Sequence, residues 1–113
     1  MEREPGELIA IFQPRVEAER AELLARSDAT DVDRRPVELD QQSVGRLSRM
    51  DSLQIQAMAV AVEQRRKARL VALEMALRRM AKADYGYCVD CGEFIGMRRL
   101  EIDPAALKCV KCA

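Results

Sequence analysis

Four cysteines lie close together in the stretch CVDCGEFIGMRRLEIDPAALKCVKC, at positions 88 to 112 of the 113-residue sequence. Cys88 and Cys91 form one C-x2-C pair, Cys109 and Cys112 form a second, and seventeen residues separate the pairs. Each pair lets two sulfurs converge from a tight turn, and two such turns complete the tetrahedral coordination of zinc. Four protein ligands leave no open position for a substrate. The spacing therefore predicts one structural Zn2+.

The cellular compartment bears on the choice between a metal site and a disulfide framework. The first ten residues, MEREPGELIA, lack the pattern of a secretory signal, and no apolar run is long enough to span a bilayer. We therefore expect a cytoplasmic protein without membrane contact, in which thiols stay reduced. A thioredoxin-like redox pair would need a βαβ context, which the sequence around the cysteines does not indicate. An oxidation-sensitive zinc site, acting as a thiol-based stress sensor, remains an alternative.

The charge balance limits the classes of function. The sequence has 19 basic residues, 19 acidic residues and no His, so imidazole chemistry is excluded and a nonspecific nucleic-acid binder is not indicated. No enzymatic nucleophile or phosphate-binding glycine loop is present, and we expect no catalysis. Four basic residues lie within or beside the cysteine turns and are expected to offset the thiolate charge: Arg98, Arg99, Lys108 and Lys111. The alternative is a zinc ribbon that uses them to bind nucleic acid.

A long helical pattern precedes the cysteines. Residues 40–83 contain one Gly, no Pro and many strong helix formers. Asp40 is the predicted N-cap, with Leu39 and Val44 placed as a hydrophobic staple. Near the end of this helix, apolar residues recur at intervals of three, four and three, a seam typical of helix pairing: Leu70, Leu73, Leu77 and Met80. A looser apolar stripe precedes the seam and comprises Leu47, Met50, Ala57, Met58 and Ala61.

The N-terminal segment is the predicted partner of this helix. An apolar stripe runs through Ile9, Phe12, Val16 and Leu23, but Pro14 would kink a continuous helix or stand in its first turn. The predicted fold is mainly α: an antiparallel coiled-coil hairpin over residues 1–83 and a small four-cysteine zinc finger over residues 84–113. The predicted arms are residues 14–27 and 40–83, joined by a tip loop at 28–39. The second arm would overhang the first by roughly 15 to 20 residues, or about 25 to 30 Å.

Acidic residues cluster in the predicted tip. Asp28, Asp31, Asp33 and Asp40 fall in or beside the connecting loop, which can run extended along the overhang. Each carboxylate taken alone fits a solvated loop or a helix cap. Grouped at the end of a long helical hairpin, these carboxylates suit a protein that inserts its tip into a partner.

The sequence resembles the DksA/TraR family, whose members carry a four-cysteine zinc finger at the base of an antiparallel coiled-coil hairpin. The resemblance rests on DYGYCVDCGEFIGMRRLEIDPAALKCVKC, residues 84–112, and on LDQQSVGRLSRMDSLQIQAMA, residues 39–59. It implies a transcription regulator that binds RNA polymerase directly through the secondary channel, without sequence-specific DNA binding. A short family member that acts as a monomer is expected.

Two features of the sequence depart from the family pattern. The best-known members carry Asp-x-x-Asp-x-Ala at the tip, where this chain has Asp28-Ala-Thr-Asp31-Val-Asp33, so Asp40 or Asp51 could take the functional place. Members that respond to guanosine tetraphosphate place basic residues where this sequence has Asp103 and Ala72. These substitutions argue against joint binding of that nucleotide.

Overall fold

A computed structural model describes residues 5–31 and 46–113. Three named helices occur in this part of the chain: α1 at Pro5–Ala29, α2 at Arg46–Ala81 and α3 at Met97–Ile102. An isolated antiparallel bridge joins Tyr87 to Phe94. The molecule is elongated, with principal extents of 67 × 27 × 19 Å. The prediction of a mainly helical fold with a C-terminal cysteine module is confirmed.

Helix α2 forms because its 36 residues include neither Gly nor Pro and are rich in Ala, Leu, Met, Arg and Gln. At 1.5 Å per residue it is about 54 Å long. The predicted start of the long arm, with Asp40 as N-cap and Leu39 and Val44 as a staple, lies outside the described residues. No helix in the described part of the chain is long and apolar enough to cross a membrane.

Helices α1 and α2 run antiparallel. Arg20 Nη2 lies 3.5 Å from Glu74 Oε1, whereas Ser27 Oγ, later in α1, donates to Glu63 Oε1, earlier in α2, at 2.8 Å. Thr30 Oγ1 then accepts from Arg66 Nη1 at 3.3 Å. The end of α1 thus lies beside the middle of α2, and α2 continues about 25 Å beyond Glu63 to Arg46.

Helix α1 begins at Pro5 rather than at Pro14, and it continues to Ala29. The predicted first arm of residues 14–27 is therefore too short, and Asp28 lies in the helix rather than in the connecting loop. An interior Pro removes one backbone hydrogen bond and crowds the preceding turn. Leu8, Phe12 and Val16 on either side of Pro14 are fully buried, and this packing outweighs the unfavourable helix propensity.

We expect Pro14→Ala to stabilise the protein. Pro14 is exposed, so its replacement removes no core contact, and Ala restores the missing backbone donor. Interior Pro costs about 3 kcal/mol relative to Ala, and we expect a gain of about 1 to 3 kcal/mol in the free energy of unfolding. Urea denaturation of the zinc-loaded protein measures it. Unchanged or reduced stability would mean that α1 is shaped to require Pro14.

One hydrophobic core serves the hairpin and the finger together. The residues at its centre come from all three parts of the chain: Leu8, Phe12 and Val16 from α1, Leu73, Ala76 and Met80 from α2, and Tyr85, Ile95, Leu100, Ala105 and Ala106 from the finger. The predicted seam is partly right, because Leu73 and Met80 are buried while Leu77 is only half-buried against the cluster. Ala76 is also buried in this core, which the spacing did not indicate.

A buried ion pair lies where α1 ends. Glu63 is 5% exposed, and its carboxylate accepts from Arg66 Nη1 at 2.6 Å and from Ser27 Oγ at 2.8 Å. A buried charge is tolerated only when it is paired and hydrogen-bonded, so these contacts fix Ser27 at this level of α2. Glu63 could not be singled out from the sequence, because one acidic residue on a helix with many charges carries no local signal.

Candidate functional site

The four cysteine sulfurs converge on one point. All four Sγ atoms lie within 4.8 Å of one another, and Cys91 Sγ and Cys109 Sγ are 3.7 Å apart. Zn–S bonds of about 2.3 Å in a tetrahedron place sulfurs about 3.8 Å apart, whereas a disulfide requires about 2.05 Å. All four cysteines are free thiols. Their type, number and spacing fit one zinc ion, as predicted.

The first C-x2-C pair lies in a tight turn closed by backbone hydrogen bonds. Cys88 N–H donates to Glu93 O at 2.8 Å, and Gly92 N–H donates to Cys88 O at 3.0 Å. Gly92 has a φ of +74°, a conformation that glycine adopts at little energetic cost because it lacks a side chain. The bridge between Tyr87 and Phe94 holds the ends of the turn together. Cys88 and Cys91 are therefore positioned by local backbone geometry.

The second pair lies in a similar turn that is tied to the first. Cys112 N–H donates to Cys109 O at 3.1 Å, and Val89 N–H donates to Leu107 O at 2.9 Å. The latter bond links the two turns directly. Arg99 Nε donates to Lys108 O at 2.8 Å and fixes the chain just before Cys109. These hydrogen bonds bring together sulfurs that are about twenty residues apart in sequence.

The thiols share protons unequally when no metal is bound. Backbone N–H groups of Cys109 and then Cys91 point at the Cys88 sulfur and lower its pKa to about 6. Hydrogen bonding with the Cys109 and then the Cys88 sulfur raises the pKa of Cys112 to about 12. Cys88 therefore ionises more readily than Cys112. Since zinc binds thiolates, metal uptake must release the protons that remain on the cysteines.

The basic residues near the cysteines have different surroundings. Lys108 Nζ lies 3.2 Å from Asp90 Oδ2, and Arg99 is held by the Lys108 carbonyl. Arg98 and Lys111 are exposed. It remains a prediction that these four side chains offset the negative charge of the thiolates.

Two aromatic residues join the finger to the hairpin. The ring centroids of Phe12 and Tyr85 are 6.1 Å apart, and both side chains are buried. Tyr85 Oη donates to Pro104 O at 2.6 Å, which satisfies its hydroxyl. Burial raises the pKa of Tyr85 to about 12, so the hydroxyl remains a donor at neutral pH. The finger is therefore anchored by a buried, fully protonated side chain.

Gly86 lets the finger approach α1 closely. Its φ is +96°, and a Cβ at this position would lie 2.8 Å from Leu8 Cδ1. Any other residue would be strained by this φ, and its Cβ would force the Leu8 side chain to shift. The aromatic-Gly pair before the first cysteine is thus a requirement of packing.

A charged network joins α1, α2 and the finger at one side. Arg69 Nε is 2.5 Å from Glu19 Oε2, and Arg69 Nη1 is 2.8 Å from Asp103 Oδ1. Asp103 Oδ1 also accepts from Ala105 N–H at 3.0 Å. The hydrogen bond with Glu19, followed by that with Asp103, raises the pKa of Arg69 against the opposing effect of burial. Asp103 therefore orients the finger on the long helix.

Three of the five predicted tip carboxylates lie among the described residues. Asp28 lies in α1, and Asp31 follows Thr30, whose hydroxyl contacts Arg66. Asp51 is exposed on α2, about 18 Å farther along the helix axis than Glu63. Asp33 and Asp40 lie outside the described residues. Among the described members of this set, Asp51 is the one on the part of α2 that extends beyond α1.

Comparison with known proteins supports the sequence resemblance at the finger. Residues 83–113 match the family described as prokaryotic dksA/traR C4-type zinc finger. A 40-residue segment is 48% identical to the RNA polymerase-binding transcription factor DksA of Haemophilus influenzae and 45% identical to that of Escherichia coli K12, and covers 35% of this chain. The match spans only 28% and 26% of those two relatives.

The overall fold also has a known counterpart. The transcription factor DksA2 from Pseudomonas aeruginosa superposes with a TM-score of 0.68 at 22% identity, over 96% of this chain and 79% of that one. At this identity the likeness shows the fold alone. The overall fold of this chain is therefore similar to one already seen in a solved structure.

Proposed function

We propose that this chain, which carries a zinc finger of the DksA/TraR family, is a transcription regulator that binds RNA polymerase directly through the secondary channel. The observation that carries the proposal is the docking of that finger on an antiparallel hairpin whose longer helix projects beyond the shorter one. The curated relatives that share the finger are named RNA polymerase-binding transcription factors. The chain would work in the cytoplasm, as a monomer and without catalysis.

Zinc has a structural role in this proposal. When bound, it cross-links the two cysteine turns and leaves no position for a substrate. With the two turns fixed, Tyr85, Ile95 and Leu100 stay packed against α1 and α2. The metal would thus maintain the base from which α2 projects, and the projecting arm would act on the polymerase.

The arm carries one acidic residue that suits this role. Between Arg46 and Val62 the sequence contains only Asp51 as an acidic residue, and its side chain is exposed. A carboxylate carried on a rigid helix can reach a magnesium ion or a basic loop inside a channel, where screening by salt is weak. We therefore place Asp51 first among the tip candidates, ahead of Asp28 and Asp31; Asp33 and Asp40 remain candidates from the sequence.

Two further parts of the proposal rest on charges that are already paired. Arg69 binds Glu19 and Asp103, which supports regulation without guanosine tetraphosphate, because the guanidinium is committed to carboxylates of the same chain. Arg99 and Lys108 contact groups within the finger, which favours a polymerase-binding role over a zinc ribbon that binds DNA.

We expect Asp51→Asn to abolish the effect of the protein on open-complex lifetime and transcript yield in a purified transcription system. The change removes one charge from an exposed helix position, so the fold and the binding of core polymerase should remain nearly intact. Asp28→Asn is the matched control, since it makes the same change on the exposed surface of α1. It should leave regulation unchanged.

The two variants separate the possible outcomes. Normal regulation by Asp51→Asn would contradict the assignment of this carboxylate. Loss of regulation by Asp28→Asn alone would transfer the role to the end of α1. Absence of any effect of the unmodified protein on transcription would contradict the proposed function itself.

A further inference from the structure

Helix α2 has a second apolar face, on the side away from α1. The residues of this face are spaced three or four apart along the helix, and Gln64 is the one polar residue among them. We call the apolar members the outer stripe: Met50, Leu53, Ala57, Val60, Ala68, Val71 and Met75. The spacing follows the helical repeat of 3.6 residues. The stripe covers about 38 Å of the helix axis at 1.5 Å per residue.

The outer stripe is uncovered in the described structure. Its five large side chains are 36 to 56% exposed, whereas Leu73 on the opposite face is fully buried. Val71 and Leu73 are two residues, or about 200°, apart around the helix, which places them on opposite sides. Single exposed apolar residues are ordinary, but an aligned row of this length is typical of a surface that packs against another helix.

The edges of the outer stripe are basic. Four basic side chains flank the outer stripe: Arg49, Arg65, Lys67 and Arg78. Arg49 is half-buried and the other three are exposed. The three acidic residues of α2 do not balance them. Asp51 and Glu63 lie toward other faces of the helix, and Glu74 pairs with Arg20 of α1. The row of apolar side chains is therefore bordered by unbalanced positive charge.

We infer that the outer stripe binds an amphipathic helix of a partner protein whose apolar seam is bordered by Asp and Glu. Apolar contact along the seams would supply affinity, and the opposite charges at the edges would select the partner. A second copy of this chain fits poorly, because two basic edges would face each other in either helix direction. The inference does not rest on the polymerase proposal, since it follows from the surface of α2 alone.

The test uses two synthetic helical peptides of about 25 residues, the length that spans the stripe. Both have the same Leu and Ala seam, but one has Glu at the flanking positions and the other Lys. Binding to the full zinc-loaded chain is followed by fluorescence anisotropy at low salt. We expect the Glu peptide to bind at least about tenfold more tightly than the Lys peptide, and salt to weaken its binding.

Substitutions in the chain locate the binding surface. Val60→Asp with Val71→Asp should weaken binding of the Glu peptide by at least about tenfold. Ile102→Asp is the matched control, because Ile102 is 85% exposed and belongs to the finger rather than to the outer stripe. Arg65→Glu with Lys67→Glu leaves the apolar row intact and should shift the preference toward the Lys peptide. This charge exchange keeps the test decisive if the double Asp variant fails to fold.

Three results would overturn the inference. Equal binding of the two peptides would remove the role of the basic edges. Unchanged affinity in both double variants would place the peptide elsewhere on the chain. Sedimentation equilibrium showing a dimer that the Val60→Asp and Val71→Asp changes dissolve would assign the surface to a second copy of the chain instead.

Discussion

Cys109→Ser is expected to remove the bound zinc and unfold the finger. The four sulfurs meet only in the folded chain, so the binding energy of the metal appears as stability, on the order of 10 kcal/mol for structural zinc. The wild-type protein should contain about one zinc per chain, and the variant close to none. Metal analysis and thermal unfolding of the same samples measure both effects. Cys88→Ser should behave alike, because it removes a sulfur from the other turn.

Val110→Ser is the matched control for this change. Val110 lies next to Cys109 in the second turn, and its side chain is 73% exposed, so its replacement should leave the zinc content and the unfolding profile unchanged. Stoichiometric zinc in both cysteine variants, together with unchanged melting, would contradict a four-cysteine structural site.

Phe12→Ala is expected to loosen the hairpin and the finger together. Phe12 is fully buried, contacts the ring of Tyr85 and belongs to the core that joins the two parts. Phe to Ala substitution in a core costs about 3 to 5 kcal/mol through lost burial and the cavity left behind. Urea denaturation with zinc present should show this loss, and amide exchange should become faster in α1 and at Tyr85 alike.

Ile11→Ala is the control for the loss of Phe12. Ile11 is the preceding residue of α1 and is 41% exposed, so its truncation should cost far less. Faster exchange in α1 with no change in the finger would show that the finger is stable without the hairpin. Equal effects of the two substitutions would mean that the contact between Phe12 and Tyr85 contributes little.

The zinc site could be predicted from the sequence because its geometry is local. Each C-x2-C turn brings two sulfurs together with few residues, and the spacing between pairs is typical of zinc modules. The family resemblance was strong for the same reason, since most of the matching residues lie in the finger.

The hairpin was less predictable, because tertiary packing overrides local preference. Pro14 indicated a late start of α1, yet buried residues on both sides hold the helix through it. Pairing of Ser27 with Glu63 sets the level at which α1 ends, and this depends on residues that are distant in sequence. For the same reason Asp28 was expected in the connecting loop, whereas it lies in α1.

The second face of α2 escaped the sequence analysis because two apolar stripes overlap in one helix. Met50 and Ala57 were assigned to a looser stripe that precedes the seam, whereas they belong to the row of apolar residues on the side away from α1. Only the position of α1 distinguishes the inner face from the outer one. Once that position is known, the exposed row and its basic edges identify a surface that neither the fold nor the finger requires.

Binding of the purified, zinc-loaded protein to core RNA polymerase in the absence of DNA tests the central proposal most directly. The proposal predicts saturable binding of about one chain per polymerase, competition by a full-length DksA protein, and loss of binding after zinc removal. Asp51→Asn should bind nearly as well as the unmodified chain. No binding, or binding that a full-length DksA protein fails to displace, would contradict the proposal that this chain acts through the secondary channel.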